Sequence, residues 1–137
     1  MNEQIIEFLT ELRSHNNREW FQDNKSRYDA LRKVFIDEVQ DLIGRISLFD
    51  PEVAGLEAKD CLFRIYRDIR FSPDKTPYKC HFAAYISQGG RASERGGYYI
   101  HLEPGEEQMT VRMRTDGQLK VCAAVEMRHH PMILTRV

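Results

Sequence analysis

Residues 63–82 read FRIYRDIRFSPDKTPYKCHF, and the fold turns on how this stretch is read. Its first half alternates. Phe63, Ile65, Ile69 and Phe71 share one parity, while Arg64, Tyr66, Asp68 and Arg70 share the other. Period two predicts a strand over 62–71 with an apolar and a polar face. SPDKTPYK is turn chemistry, because each proline fixes its own φ and pushes the preceding Ser72 and Thr76 into extended backbone. A second strand follows over 80–87, setting Phe82, Ala84 and Ile86 against His81, Ala83 and Tyr85. Arg67 breaks the scheme, since it stands on the apolar parity. A guanidinium there requires a carboxylate partner or a bulge.

Upstream the period is helical. Ile5, Phe8, Leu9 and Leu12 predict an amphipathic helix over 3–13, and REWFQ a short turn of helix. Tyr28, Leu31, Phe35, Val39, Leu42 and Ile46 mark one face of a long helix over 24–47. Asn17 and Asn24 read as helix caps and Trp20 as a core anchor. Downstream, QGGRASERGG leads to a third strand over 98–103, and MTVRMR, TDGQ and LKVCAAVEM form a hairpin. Helices followed by a meander give an α+β fold, with N-terminal helices packed on one face of an antiparallel β-sheet. The 137 residues suit a single domain, helical over 1–50 and β-rich over 60–127.

The net charge of −1 supplies no global field for nucleic acid or an anionic membrane. No apolar run is long enough to span a bilayer, and the N-terminus lacks a signal-peptide pattern. Three cysteines without C-x-x-C spacing point to a reducing cytoplasm.

Register places the candidate site. Pairing Phe82, Ala84 and Ile86 with Tyr98, Ile100 and Leu102 gathers His81, Tyr85, Tyr99, His101 and Glu103 on the opposite face. Arg64, Tyr66, Asp68 and Arg70 join them if the 62–71 strand enters the sheet apolar side inward. The window 64–79 carries five cations against two anions. Arginines give bidentate donors to phosphate or carboxylate, and lysines add point charge. The expected ligand set is therefore Arg64, Arg67, Arg70, Asp74, Lys75, Tyr78 and Lys79, with Arg91 and Arg95 folding over from the glycine-rich loop. His81, His101 or Asp68 would carry any proton transfer. His81, His101 and Glu103 also offer two nitrogens and an oxygen to a metal. The plainer reading is a polar network in which Glu103 fixes a histidine tautomer, so no metal or cofactor is expected. The partner expected is an anionic small molecule, with self-association admitted. Against these stand two readings: a sheet face for a protein or for single-stranded nucleic acid, the latter disfavoured by the charge, and an Arg/Asp motif that only braces the fold.

NNREWFQDNKSRYDALR, FRIYRDIRFSPDKTPYK and SERGGYYIHLEPGE, in that order, resemble the family called domain of unknown function 2461, over about residues 5–105. The resemblance implies a conserved, mainly bacterial protein. It carries over motif residues Asn17, Trp20, Phe21, Asn24 and Tyr28, then Arg64, Arg67, Asp68, Arg70, Phe71, Asp74, Lys75, Pro77, Tyr78 and Lys79. No catalytic role comes with them. After Glu106 the chain departs from the family's pattern. The expectation is a shifted reading frame or a truncation that leaves part of the sheet uncovered. The alternative is a hairpin native to the chain.

Overall fold

A computed structural model describes residues 2–105, 108–115 and 118–126, with side chains described over 3–105. Helix α1 spans Asn2–Ser14, α2 Arg18–Asp23 and α3 Lys25–Ile46. Two short 3₁₀ turns, Pro51–Val53 and Ala58–Asp60, lead to the strands β1 (Phe82–Ile86), β2 (Gly97–Leu102), β3 (Gln108–Thr115) and β4 (Gln118–Glu126). The strands form one antiparallel meander in chain order. The fold is α+β, as the change of hydrophobic period predicts.

Helix periodicity translates directly into burial. Ile5, Phe8, Leu9 and Leu12 of α1 are fully buried, and Leu31, Phe35, Val39, Leu42 and Ile46 of α3 join them. They pack against Phe82, Ala84, Ile86, Tyr98, Ile100 and Leu102, the inner face of β1 and β2. The expected register holds: Phe82 lies opposite Leu102, Ala84 opposite Ile100 and Ile86 opposite Tyr98. Asn17 caps α2 by accepting from the Trp20 N–H at 2.8 Å. Asn24 does not cap α3 with its side chain, which instead donates to the Trp20 carbonyl at 2.9 Å.

The stretch 62–71 is where expectation and structure part. It forms no regular strand, only the isolated bridges Leu62 to Ala84 and Tyr66 to Tyr78. The pairing slips by two residues between those bridges, as a bulged hairpin does. The faces change accordingly. Leu62, which lies opposite Ala84, is the residue buried in the core, whereas Phe63 is half exposed and sets its ring against Tyr99 at 6.3 Å. Ile65 is buried, but Phe71 is 92% exposed and lies under Arg70. The expected core quartet of Phe63, Ile65, Ile69 and Phe71 therefore keeps only Ile65 as a fully buried member.

Two long-range amide clamps tie these irregular segments to the helices. The Asn16 side chain donates to the Tyr78 carbonyl at 2.9 Å and accepts from its N–H at 3.1 Å, pairing as a strand would. Gln40 of α3 donates to the Leu56 carbonyl at 3.1 Å and accepts from the Ala58 N–H at 2.9 Å. The second clamp fixes the 3₁₀ turn that carries Lys59. Expectations about residues 127–137 lie outside the described residues.

Candidate functional site: a cationic cleft beside the sheet

The irregular segment, the second 3₁₀ turn, α3 and the β1–β2 loop meet around a cleft of about 570 Å³. Its walls are Arg32, Lys59, Leu62, Phe63, Arg64, Lys79, Arg91 and Ala92. Each element is held in place by backbone. Arg32, partly buried, stands on α3 at the border of its apolar stripe, beside Tyr28 and Phe35. Arg91 follows Gly90, whose φ of +81° only glycine adopts without strain, and the Arg91 N–H donates to the Asp60 carbonyl at 3.1 Å. A Cβ on Gly90 would sit 2.8 Å from that same carbonyl oxygen. The loop can therefore close on the 3₁₀ turn only with glycine there.

The electrostatics of the cleft are one-sided. Among the described residues its lining carries five cations and no carboxylate. Lys59 has a partner outside the lining, Glu57 at 3.1 Å. No described carboxylate comes within ion-pair distance of Arg32, Arg64, Lys79 or Arg91. Lys79 donates to the Arg64 carbonyl at 2.7 Å and lies over the Phe63 ring at 5.9 Å. Burial first, and the neighbouring Arg64 second, hold its pKa below the ordinary lysine value. Like charges gathered without counter-charge raise the local affinity for an anion.

The other expected ligand residues go elsewhere. Arg67 turns into the proline turn rather than outward. Its Nη1 donates to the Thr76 carbonyl and to Thr76 Oγ1, each at 2.8 Å, and lies 3.3 Å from the Asp74 carboxylate. Asp74 itself accepts from the Thr76 N–H at 2.9 Å, and these hydrogen bonds hold its pKa below the usual carboxylate value. The parity-breaking arginine thus has the carboxylate partner that its position calls for, with the Thr76 oxygens beside it. Arg70 makes a two-pronged pair with Asp68, at 3.0 and 2.8 Å, on open surface. The bond to Arg70 lowers the Asp68 pKa. Lys75 donates to the Ile69 carbonyl at 2.6 Å. Tyr78 is buried and stacks on Phe21 with centroids 4.1 Å apart. Arg95 bonds Gln88 and lies 3.9 Å from Glu52. Of the expected set, the cleft gathers Arg64, Lys79 and Arg91. Arg32 and Lys59 join it without a sequence signal, since one borders the apolar stripe of a helix and the other sits in a connector.

His81, His101 and Glu103 form a separate cluster on the outer face of the sheet. The β1–β2 register, continued one residue past the strand ends, sets His81 across from Glu103. His81 Nδ1 and His101 Nε2 each lie 3.8 Å from Glu103 Oε1. The imidazoles stack with centroids 4.5 Å apart. At 3.8 Å Glu103 makes no hydrogen bond to either ring, so it does not fix a tautomer. His101 has a closer partner in Tyr99, whose hydroxyl lies 2.9 Å from Nδ1 and orients the ring. Burial, then His101 and Lys79, depress the His81 pKa to about 4. Asp68, the third residue expected to move protons, pairs with Arg70 and is not part of this cluster. The cleft and the cluster are neighbours: a narrow crevice is lined by His81 together with Arg32, Leu62 and Phe63.

Helices on one face of an antiparallel meander, with a cation-lined cleft at its irregular edge, define this as an α+β protein. The chain belongs to the family described as "Conserved hypothetical protein (DUF2461)", whose model matches residues 4–113. That match extends past Glu106, where the sequence resemblance ended, into β3. No curated protein and no solved structure matches the chain. Among the described residues no helix is long and apolar enough to cross a membrane.

Proposed function

We propose that the protein binds an anionic small molecule, bearing phosphate or carboxylate, in the cleft between α3 and the β1–β2 loop. The observation that carries this reading is the set Arg32, Arg64, Lys79 and Arg91, four cations without a carboxylate partner among the described residues, in a cleft of about 570 Å³. Pockets of that size suit small ligands. Guanidinium groups from α3, the irregular segment and the loop approach from different sides, which suits a multi-oxygen anion. Phe63 and Leu62 supply an apolar wall, so the ligand carries a planar or aliphatic part beside its charge. His81, in the adjoining crevice, is the nearest candidate for proton transfer. The free thiols of Cys61 and Cys80 suit a reducing compartment such as the cytoplasm.

A thermal-shift screen of inorganic phosphate, pyrophosphate, nucleotides and dicarboxylates tests the reading. Stabilisation by at least one of these anions is expected, lost in Arg64→Ala and Arg91→Ala and kept in Arg70→Ala. If no anion stabilises the protein, or if Arg70→Ala abolishes the effect as fully as Arg64→Ala, the cleft is not the site.

A further inference from the structure

We propose that His81, His101 and Glu103 form a binding site for a borderline divalent metal ion such as Zn²⁺. The three ligand-type atoms lie within 4.8 Å of one another, and both histidine nitrogens are 3.8 Å from the same carboxylate oxygen. That spacing is too long for hydrogen bonds. It is close to what a shared ion requires. Bonds of roughly 2.0–2.2 Å at tetrahedral angles separate two ligands by about 3.4 Å. Small side-chain rotations therefore close the site around an ion.

Three further features fit. First, the hydroxyl of Tyr99 engages Nδ1 of His101 at 2.9 Å and leaves Nε2, the nitrogen facing Glu103, as the ligand atom. Metal-binding histidines are usually oriented through their second nitrogen in this way. Second, the donors come from paired, ordered backbone: His101 lies within β2 opposite Ala83, and His81 and Glu103 directly adjoin the paired strand ends. Third, all three side chains remain 20–26% exposed, so an ion has a route in and keeps positions open to water or an anion. Two imidazoles and one carboxylate favour zinc and its first-row neighbours over Mg²⁺ or Ca²⁺, which prefer all-oxygen shells. Lys79, whose charge acts on His81, opposes any cation there and sets a limit on affinity.

Equilibrium dialysis of the tag-free full chain against Zn²⁺, with metal quantified per chain, is the test. Co²⁺ as a second probe reports ligand geometry through its visible absorption. Wild type is expected to bind one ion that a His81→Ala/His101→Ala double variant does not. Glu103→Gln should weaken binding at least tenfold, and Tyr99→Phe by about 10–100-fold while leaving every ligand in place. His129 and His130 remain in all these variants, so metal held by that pair would survive the substitutions. Equal binding by wild type and the double variant, or none by wild type, overturns the proposal. If the double variant does not fold, unchanged affinity in the milder Glu103→Gln and Tyr99→Phe overturns it equally.

Discussion

Replacing Arg67 by Met would remove the clamp that holds the double-proline turn. In the native protein Nη1 of Arg67 makes two bonds of 2.8 Å, to the carbonyl and the hydroxyl of Thr76. Bonds from a charged donor contribute about 1.5–3 kcal/mol each when sheltered. The side chain is 26% exposed, so water replaces part of what is lost. The Asp74 carboxylate is largely exposed and adds little to the loss. A destabilisation of about 2 kcal/mol follows from the two Thr76 bonds after that discount. With a urea slope of about 2 kcal/mol/M, the unfolding midpoint falls by about 1 M at constant slope. Arg70→Met is the matched control. It removes an arginine from the same segment, but one whose partner Asp68 lies on open surface, and its midpoint should stay at the wild-type value. An Arg67→Met midpoint equal to wild type, or an Arg70→Met loss as large, would refute the assignment of Arg67 as the brace and Arg70 as a solvated pair.

Phe21→Ala removes the ring that stacks on Tyr78 at 4.1 Å and should cost about 3–5 kcal/mol, read from denaturant unfolding. Gly97→Ala would place a Cβ 2.4 Å from the Ile86 carbonyl oxygen, forcing β1 and β2 apart; a loss of about 1–3 kcal/mol or more is expected, and a neutral outcome would contradict the strand spacing. The Cys61 thiol, pushed up to about 11 chiefly by burial, is about one part in a thousand thiolate at pH 8. Peptide mapping after iodoacetamide should therefore find it unmodified in native protein and labelled only after denaturation.

Much of this architecture is legible in the residue order, and the exceptions share a cause. The faces of α1 and α3 follow from spacing because a helix buries its apolar stripe against whatever it meets. The β1–β2 register follows from matching apolar parities, because a one-residue slip would bury His81 and His101. The segment 62–71 misleads because alternation reports which side chains share a face only where the backbone is regularly paired. Here bridges at Leu62 and Tyr66 are out of step, and the side chains rotate between them. Phe63 consequently sets its ring against Tyr99 outside the core, and Phe71 reaches solvent. The same irregularity divides the cations. Arg64 is carried to the cleft, while Arg67 turns inward and Arg70 pairs locally. Arg32 and Lys59 carried no signal, because each is an ordinary surface residue until the Gln40 clamp and the Asp60–Arg91 contact bring their segments together.

Calorimetric titration with pyrophosphate at low salt tests the cationic cleft most directly. Binding is expected in wild type, weakening as salt rises. It should weaken at least fivefold in Arg64→Ala and in Arg91→Ala and stay unchanged in Arg70→Ala. Pyrophosphate binding that is absent from wild type, or indifferent to Arg64 and Arg91, would contradict the account.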